Sequence, residues 1–333
     1  MGVAALAYLS GEARRQEGVL QLDLVAKALA PLGPPVIVFN ASHSGSRLLA
    51  QLLRELGVYM GAHLNESEDS LDMFDLVRYL VECHAPDFSR LLEDGDPELP
   101  ALVRAAVRAH VTGRASGQRW GWKLPETGHV LPVIARLFPQ ARCVHLLRDG
   151  RDVAFSPFVA PKANFWRKIY FNDGRICSWR GMGMTQRAYR AHGHLFNAAR
   201  WVNSVTLGRA HGAMLGDRYL EVRYESLVRD PAAELTRLAA FLGMEAADVS
   251  VDIPIDPGSV GKWRRRSSRQ VAEVRPLLEP TLASFGYEWE TDPPRLCAKL
   301  FGARTAGQGS GVSAGADAEP GGLGGLFRVR GQR

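Results

Sequence analysis

Cysteine is scarce and scattered. The 333 residues hold four, Cys83, Cys143, Cys177 and Cys297, and none forms a C-x-x-C pair. That spacing excludes a disulfide framework and a cysteine-based zinc site, and it suits reduced thiols in a cytoplasmic protein. No stretch approaches the ~20 apolar residues that a membrane-spanning helix needs, so no span is expected. The opening MGVAALAYLS has no basic segment ahead of its apolar patch, which argues against a secretory leader. Position 6 is Leu where N-myristoylation asks for Ser or Thr. The Gly-Lys-Ser/Thr ending of a nucleoside-triphosphate loop is missing, and there is no internal repeat. Neither sign of charge dominates: 41 Lys and Arg stand against 35 Asp and Glu, a net charge of +6. Such a balance suits an anionic ligand without naming one.

What is present is the composition of a globular α/β chain, 46% hydrophobic and 23% charged. Apolar runs at 35–39, 119–124, 142–147 and 219–224 read as strands. Helical periods near 46–57, 71–82, 99–113, 127–138, 186–211 and 231–242 alternate with them. The alternation predicts a central parallel sheet flanked by helices, with ligands at the carboxyl ends of the strands. Three such exits carry polar residues: 40–47, 123–126 and 148–156. The expected organisation is an N-terminal extension over 1–34, one domain over 35–301, and a Gly/Ala-rich, disordered tail over 302–333, which holds GQGSGVSAGADAEPGGLGG.

The first exit, VIVFNASHSGSRLLAQLLRELG, ends an apolar run in a small-polar turn and opens an amphipathic helix. Ser42, Ser44 and Ser46 offer hydroxyls, Gly45 permits close backbone approach, and Ser44 or Ser46 is expected to cap the helix. Such a corner can hold a phosphate on backbone N–H groups; taken alone it is equally an ordinary strand–turn–helix corner. In CVHLLRDGRDVAFS, Arg148 stands just past a strand and Ser156 follows eight residues later. A guanidinium and a hydroxyl there could clamp a second phosphate. The plainer alternative is a helix N-terminus with Arg148/Asp149 and Arg151/Asp152 pairs. Further on, DPGSVGKWRRRSSR interleaves glycines with Lys262, Trp263 and Arg264, either an anion-binding loop or a solvated basic face.

These three segments, in this order, resemble the sulfotransferase family over roughly residues 35–290. FNASHSGSRLLAQLL is similar to the loop that holds the 5′-phosphosulfate of 3′-phosphoadenosine 5′-phosphosulfate (PAPS). LLRDGRDVAFS resembles the 3′-phosphate motif, VRYESLVRDPAAELTRLAAFLG the tyrosine–acid–leucine strand end, and GSVGKWR the C-terminal glycine loop. The resemblance implies a P-loop-like fold and PAPS as donor with PAP as product and no metal. It implies a nucleotide site of Ser42, His43, Ser44, Gly45, Ser46, Arg47, Arg148, Ser156, Tyr224, Gly261, Lys262, Trp263 and Arg264. Two departures stand out. His43 occupies the usual place of a lysine or arginine, so the cation beside the leaving group would be a titrating one, with Arg47 supplying permanent charge. The Arg-Lys that cytosolic members place before the glycine loop falls on Asp256 and Pro257, which leaves Lys262 or one of residues 264–266 to meet the 3′-phosphate.

In-line sulfuryl transfer resembles phosphoryl transfer and needs charge stabilisation at the leaving phosphate and a base for the acceptor. The expected catalytic residues are His43 and Lys123 for the first task. For the second they are Glu66 first and Glu126 next, since the cytosolic members' histidine falls on Pro125. His63, Phe165, Trp166, Tyr170 and Trp179 are expected to line the acceptor site, whose ligand is a small-molecule hydroxyl or amine such as a sugar, nucleoside or other natural product. Nucleic acid is not an expected partner, and self-association into a homodimer is left open. The competing readings are a non-catalytic PAP- or PAPS-binding protein of the same fold and a P-loop nucleotide kinase.

Overall fold

Strand β1, Val36–Asn40, is buried along its whole length because it is central. Its side chains alternate between two cores: Ile37 and Phe39 enter one, Val36 and Val38 the other. Strand β2, Gly121–Lys123, pairs with one edge of β1, and β3, Arg142–Leu147, with the other; β4, Tyr219–Arg223, adds to β3. All pairings are parallel, in the order β2-β1-β3-β4. Near-continuous apolar strands are what a sheet covered on both faces requires. The computed structural model describes residues 21–85, 87–157, 187, 191–244 and 253–289. The tail expected over 302–333 lies outside the described residues, as do Phe165, Trp166, Tyr170 and Trp179.

Residues 21–29 are helical, and after them come the helices α1 (Ser46–Glu55), α2 (Phe74–Cys83), α3 (Ser89–Asp94), α4 (Leu99–His110), α5 (Leu131–Leu137), α6 (Gly150–Ala154), α7 (Gly193–Ala213), α8 (Tyr224–Arg229), α9 (Pro231–Leu242) and α10 (Ser268–Ser284). On one face, Leu49, Leu52 and Leu53 of α1 pack with Leu235, Leu238 and Leu242 of α9 against Val36, Val38, Val144 and Leu146. The other face is covered by apolar residues of α2, α4, α5, α7 and α10. None of the described helices is long and apolar enough to cross a membrane.

Two helical expectations change. The period at 127–138 is split into a 3-10 turn, Pro125–His129, and α5, because Pro132 sits in the first turn of α5, where its missing N–H costs nothing. Helix α10, which the sequence periods did not predict, carries Pro276 and Pro280 inside it. Val274, Leu278 and Leu282, four residues apart, bury one face and hold it despite both breakers.

Candidate functional site

The turn after β1 puts Gly45, at φ +85, in the capping position of α1; no side chain caps the helix. The expected serine cap is therefore not formed. The left-handed Gly45 takes that position instead, and its carbonyl accepts from the first-turn Leu48 N at 3.1 Å. Ser44 Oγ is buried without a partner, Ser46 is buried and Ser42 half-buried. His43 also adopts positive φ, +70, unusual for a residue with a side chain. His43 is exposed as a residue, yet enclosure of its ring and then the charges of Arg200, Lys262 and Arg148 push its pKa down to about 4. At pH 7 the imidazole is thus neutral without an anion beside it. Arg47 is exposed and donates to the Glu66 carbonyl at 3.4 Å.

Three stretches distant in sequence meet beside this loop. Arg148, just past β3, is 5% exposed and donates through Nη1 to the His43 carbonyl at 3.1 Å and through Nη2 to the Ser259 carbonyl. Its guanidinium carbon lies 4.4 Å from the centre of the Tyr224 ring. The Tyr224 hydroxyl is 2.8 Å from Ser259 Oγ, and its ring fills the space that a side chain on Gly45 would need. Lys262 Nζ donates to Ser156 Oγ at 2.9 Å. Burial, then the charge of Arg148, holds the Lys262 pKa below its usual value, with Arg266 adding to the effect and Asp152 opposing it. Gly261, at φ +70, opens the short turn Lys262–Arg265.

The Arg–Asp pairs are crossed relative to the sequence expectation. Arg151 forks onto Asp149 at 2.8 Å, while Arg148 Nη2 stands 4.0 Å from Asp152. Asp152 is fully buried and serves the glycine loop instead, accepting from Gly261 N at 2.7 Å and Trp263 N at 3.0 Å. Burial raises its pKa, against the two backbone hydrogen bonds that lower it. Trp263 is buried in the core, packed against the Arg151 guanidinium at 4.2 Å and near Trp289. Arg264 is exposed, its guanidinium carbon 5.1 Å from the centre of that indole. Replacing Asp152 with Ala leaves two loop amides without their acceptor, each worth about 1–3 kcal/mol when buried. The expected result is a lower denaturant midpoint and faster tryptic cleavage at residues 262–266, with α1 and the sheet intact by circular dichroism.

At the exit of β2, Lys123 is 1% exposed and its Nζ donates to the Ser67 carbonyl and to Asp69 Oδ1, both at 2.5 Å. Asn65 Nδ2 holds the other Asp69 oxygen at 2.9 Å. Glu126, three residues on, is buried in the Pro125–His129 turn. Burial and then the Asp69 charge push its pKa up to about 8, against the opposing charges of Arg200 and Lys123. Arg200, on α7, therefore acts electrostatically on both His43 and Glu126 and links the two exits. Glu66 is exposed, and only its carbonyl takes part in the Arg47 contact. His63 is exposed, with Nδ1 3.3 Å from Asp72. The structure thus joins the 42–47 loop with Arg148, Tyr224, Ser156, Gly261 and Lys262, and sets Lys123 and Glu126 next door. Sequence reasoning misses Asp69, Arg200 and Ser259. Asp69 and Arg200 carry no motif, and only the fold brings them in; Ser259 lies within GSVGKWR, but its role depends on the partners that the fold brings to it. Asp152 lies within the CVHLLRDGRDVAFS stretch, and the acceptor that a glycine loop's amides require is the signal that could have found it.

Solved structures with similar folds include the sulfotransferase domain of a Synechococcus olefin synthase, 22% identical with a TM-score of 0.46, covering 77% of this chain and 95% of that one. A sulfotransferase from Alicyclobacillus acidocaldarius is 14% identical with a TM-score of 0.39, covering 74% and 96%. A mouse sulfotransferase complexed with PAP is 14% identical with a TM-score of 0.43, covering 75% and 85%. A family profile described as the Sulfotransferase family matches residues 34–248, well over half of the chain, and the protein belongs to that family.

Proposed function

We propose that the protein transfers a sulfuryl group from PAPS to a hydroxyl or amine of a small molecule, such as a sugar, nucleoside or other natural product, in the cytoplasm. The observation that carries this reading is a two-ended anion cradle: the amide-rich 42–47 turn at one end, and Lys262 on Ser156 at the other, joined through Arg148. The residues fit such a donor. Ser44 Oγ and Arg148 Nε are buried without protein partners, and three cations crowd His43 with no carboxylate among the groups that shift it. PAPS supplies a sulfuryl group on a phosphate leaving group.

The chain's own residues would then divide the work. First-turn amides of α1 with Ser42, Ser44 and Ser46 hold the 5′ end. Anion binding beside Arg148, Lys262 and Arg200 relieves the repulsion on His43 and lets it take a proton. Lys123 is kept in place by Asp69 and Ser67. For the base we favour Glu126 over Glu66: a carboxylate whose pKa is raised to about 8 is a far stronger proton acceptor than an exposed one.

The test is calorimetry without magnesium, comparing PAP with ADP and ATP, followed by transfer of labelled sulfate from PAPS to a panel of sugars, nucleosides and phenols. Tight binding of PAP over ATP, with a labelled product, is expected. Preference for ATP overturns the donor assignment, and PAP binding with no transfer to any class of acceptor points to a binding protein of the same fold.

A further inference from the structure

The loop after α1 reaches two sides of the site with two neighbouring side chains. Glu68 sits at φ +62, a conformation that persists in a residue with a side chain only where its surroundings hold it. Its carboxylate meets α1: Oε1 accepts from Gln51 Nε2 at 2.9 Å, and Oε2 lies 2.9 Å from Arg54 Nη1. Arg47, Gln51 and Arg54 follow one another at steps of four and three residues and so share a face of α1. Arg47 adds the donation to the Glu66 carbonyl at 3.4 Å. Asp69, the next residue along, serves the exit of β2 instead. Its Oδ1 accepts from Lys123 Nζ, and its Oδ2 from Asn65 Nδ2. Asn65 Oδ1 in turn accepts from Ser67 N and Asp69 N, both at 2.9 Å, which fixes the turn. Ser70 closes the loop on β2: its N donates to the Lys123 carbonyl at 2.9 Å, and its Oγ accepts from Lys123 N at 3.1 Å. Lys123 is thereby held by backbone and side chain together. Three charges from three elements act on Glu126: Asp69 from this loop, Lys123 from β2 and Arg200 from α7. Asp69 opposes its ionisation, and the two cations favour it.

Building on the PAPS reading above and on Glu126 as its base, we propose that Asp69 is a positioning residue for transfer. It holds Lys123 at the exit of β2 and sets a second negative charge beside Glu126, while Glu68 locks it there by clamping the loop to α1. The second charge makes Glu126 a stronger proton acceptor and moves its working range to higher pH. A neutral residue at position 69 reverses that effect. It also releases Lys123, whose unpaired charge then favours an ionised Glu126. Both changes lead to a weaker base that works at lower pH. The clamp has a consequence of its own: the loop that places these groups is fixed to the same helix that begins in the 42–47 turn.

Two measurements on the full chain test this, with Asp69→Asn, Asp69→Glu and the double variant Gln51→Leu/Arg54→Met. The first is acetylation by acetic anhydride, read lysine by lysine by mass spectrometry, with the exposed Lys27 as internal reference. Lys123 is expected to be protected in wild type. Relative to Lys27 it should react about tenfold faster in Asp69→Asn and in the double variant, the scale of a lost charge-assisted contact. The second is the pH profile of sulfuryl transfer. In Asp69→Asn the rise in kcat moves down by about one pH unit, with a lower plateau and PAP affinity little changed. Asp69→Glu keeps the charge and returns the midpoint toward that of wild type. A residue that only supports the loop would lower the plateau and the thermal midpoint but leave the pH midpoint in place, and that result overturns the proposal. Unchanged protection of Lys123 in both Asp69→Asn and the double variant overturns it as well. If wild type does not bind PAP, the donor reading fails; if Glu126→Gln keeps the rise with pH, the base assignment fails. The labelling depends on neither and then decides the hold on Lys123 by itself.

Discussion

Gly45→Ala is expected to lower PAP affinity by on the order of a hundredfold and to destabilise the fold by about 2–4 kcal/mol, the combined scale of a left-handed non-glycine residue and an overpacked contact. Two independent constraints meet at this position. Its φ of +85 lies in the left-handed region, and a Cβ built there would overlap the Tyr224 ring. The ring cannot swing aside at low cost, because it also carries the Arg148 guanidinium and, through its hydroxyl, Ser259. Gly57→Ala is the matched control. Gly57 has φ +80, and an added methyl there meets nothing within 4 Å, so this variant carries the backbone strain alone and leaves the site untouched. The measurement is the thermal midpoint and the PAP dissociation constant of both variants. Equal losses of affinity, or full affinity in Gly45→Ala, would remove Tyr224 as the wall behind the turn.

Glu126→Gln is expected to reduce turnover at least tenfold, by about the weight of a positioned base, with PAP affinity little changed. The pH profile gives the sharper reading. A base with a pKa of about 8 is mostly protonated at pH 6, so wild-type turnover rises with pH and levels off above about 8. The Gln variant is flat over that range. The stability effect runs the other way. The folded pKa is raised above the ordinary value of 4.5, so the neutral acid is stable in the fold at low pH, and the penalty on the folded state grows as pH rises from 4.5 to about 8. Glu126→Gln removes that penalty and should raise the thermal midpoint at pH 8 while leaving it close to wild type at pH 4. A variant that is slower but no more stable at pH 8 would mean that the carboxyl is not desolvated as the structure has it. Retained turnover would move the base elsewhere, with Glu66→Gln as the next variant to assay.

The four strands were legible because buried parallel strands are written as apolar runs, and α1 and α9 because their leucines keep helical spacing. Asp230 and Pro231 announce the start of α9 as well, the aspartate capping through Ala233 N. The order β2-β1-β3-β4 was not legible, since each pairing joins segments with no local signal for their partner. The same division runs through the site. Ser42–Arg47, Arg148, Ser156 and Lys262 sit in short motifs and can be picked out from the chain alone. Their division of labour could not be read this way, because it depends on which carbonyls Arg148 reaches and on the direction the Trp263 indole takes. Asp69 meets Lys123 only because the loop after α1 folds back over the exit of β2. His43 showed its identity but not its charge state, which depends on burial of its ring and then on cations from three other elements.

The strand order also fixes when during synthesis the cradle can exist. Val36 pairs with both Gly121 and Arg142, β4 joins at Cys143 and Tyr219, and the far wall arrives only with Ser259–Trp263. A chain emerging from the ribosome therefore exposes its serine-rich turn long before the second end of the site has been made. Until the residues after Gly261 have left the exit tunnel, the turn is one half of a clasp, and nucleotide cannot help the sheet to close.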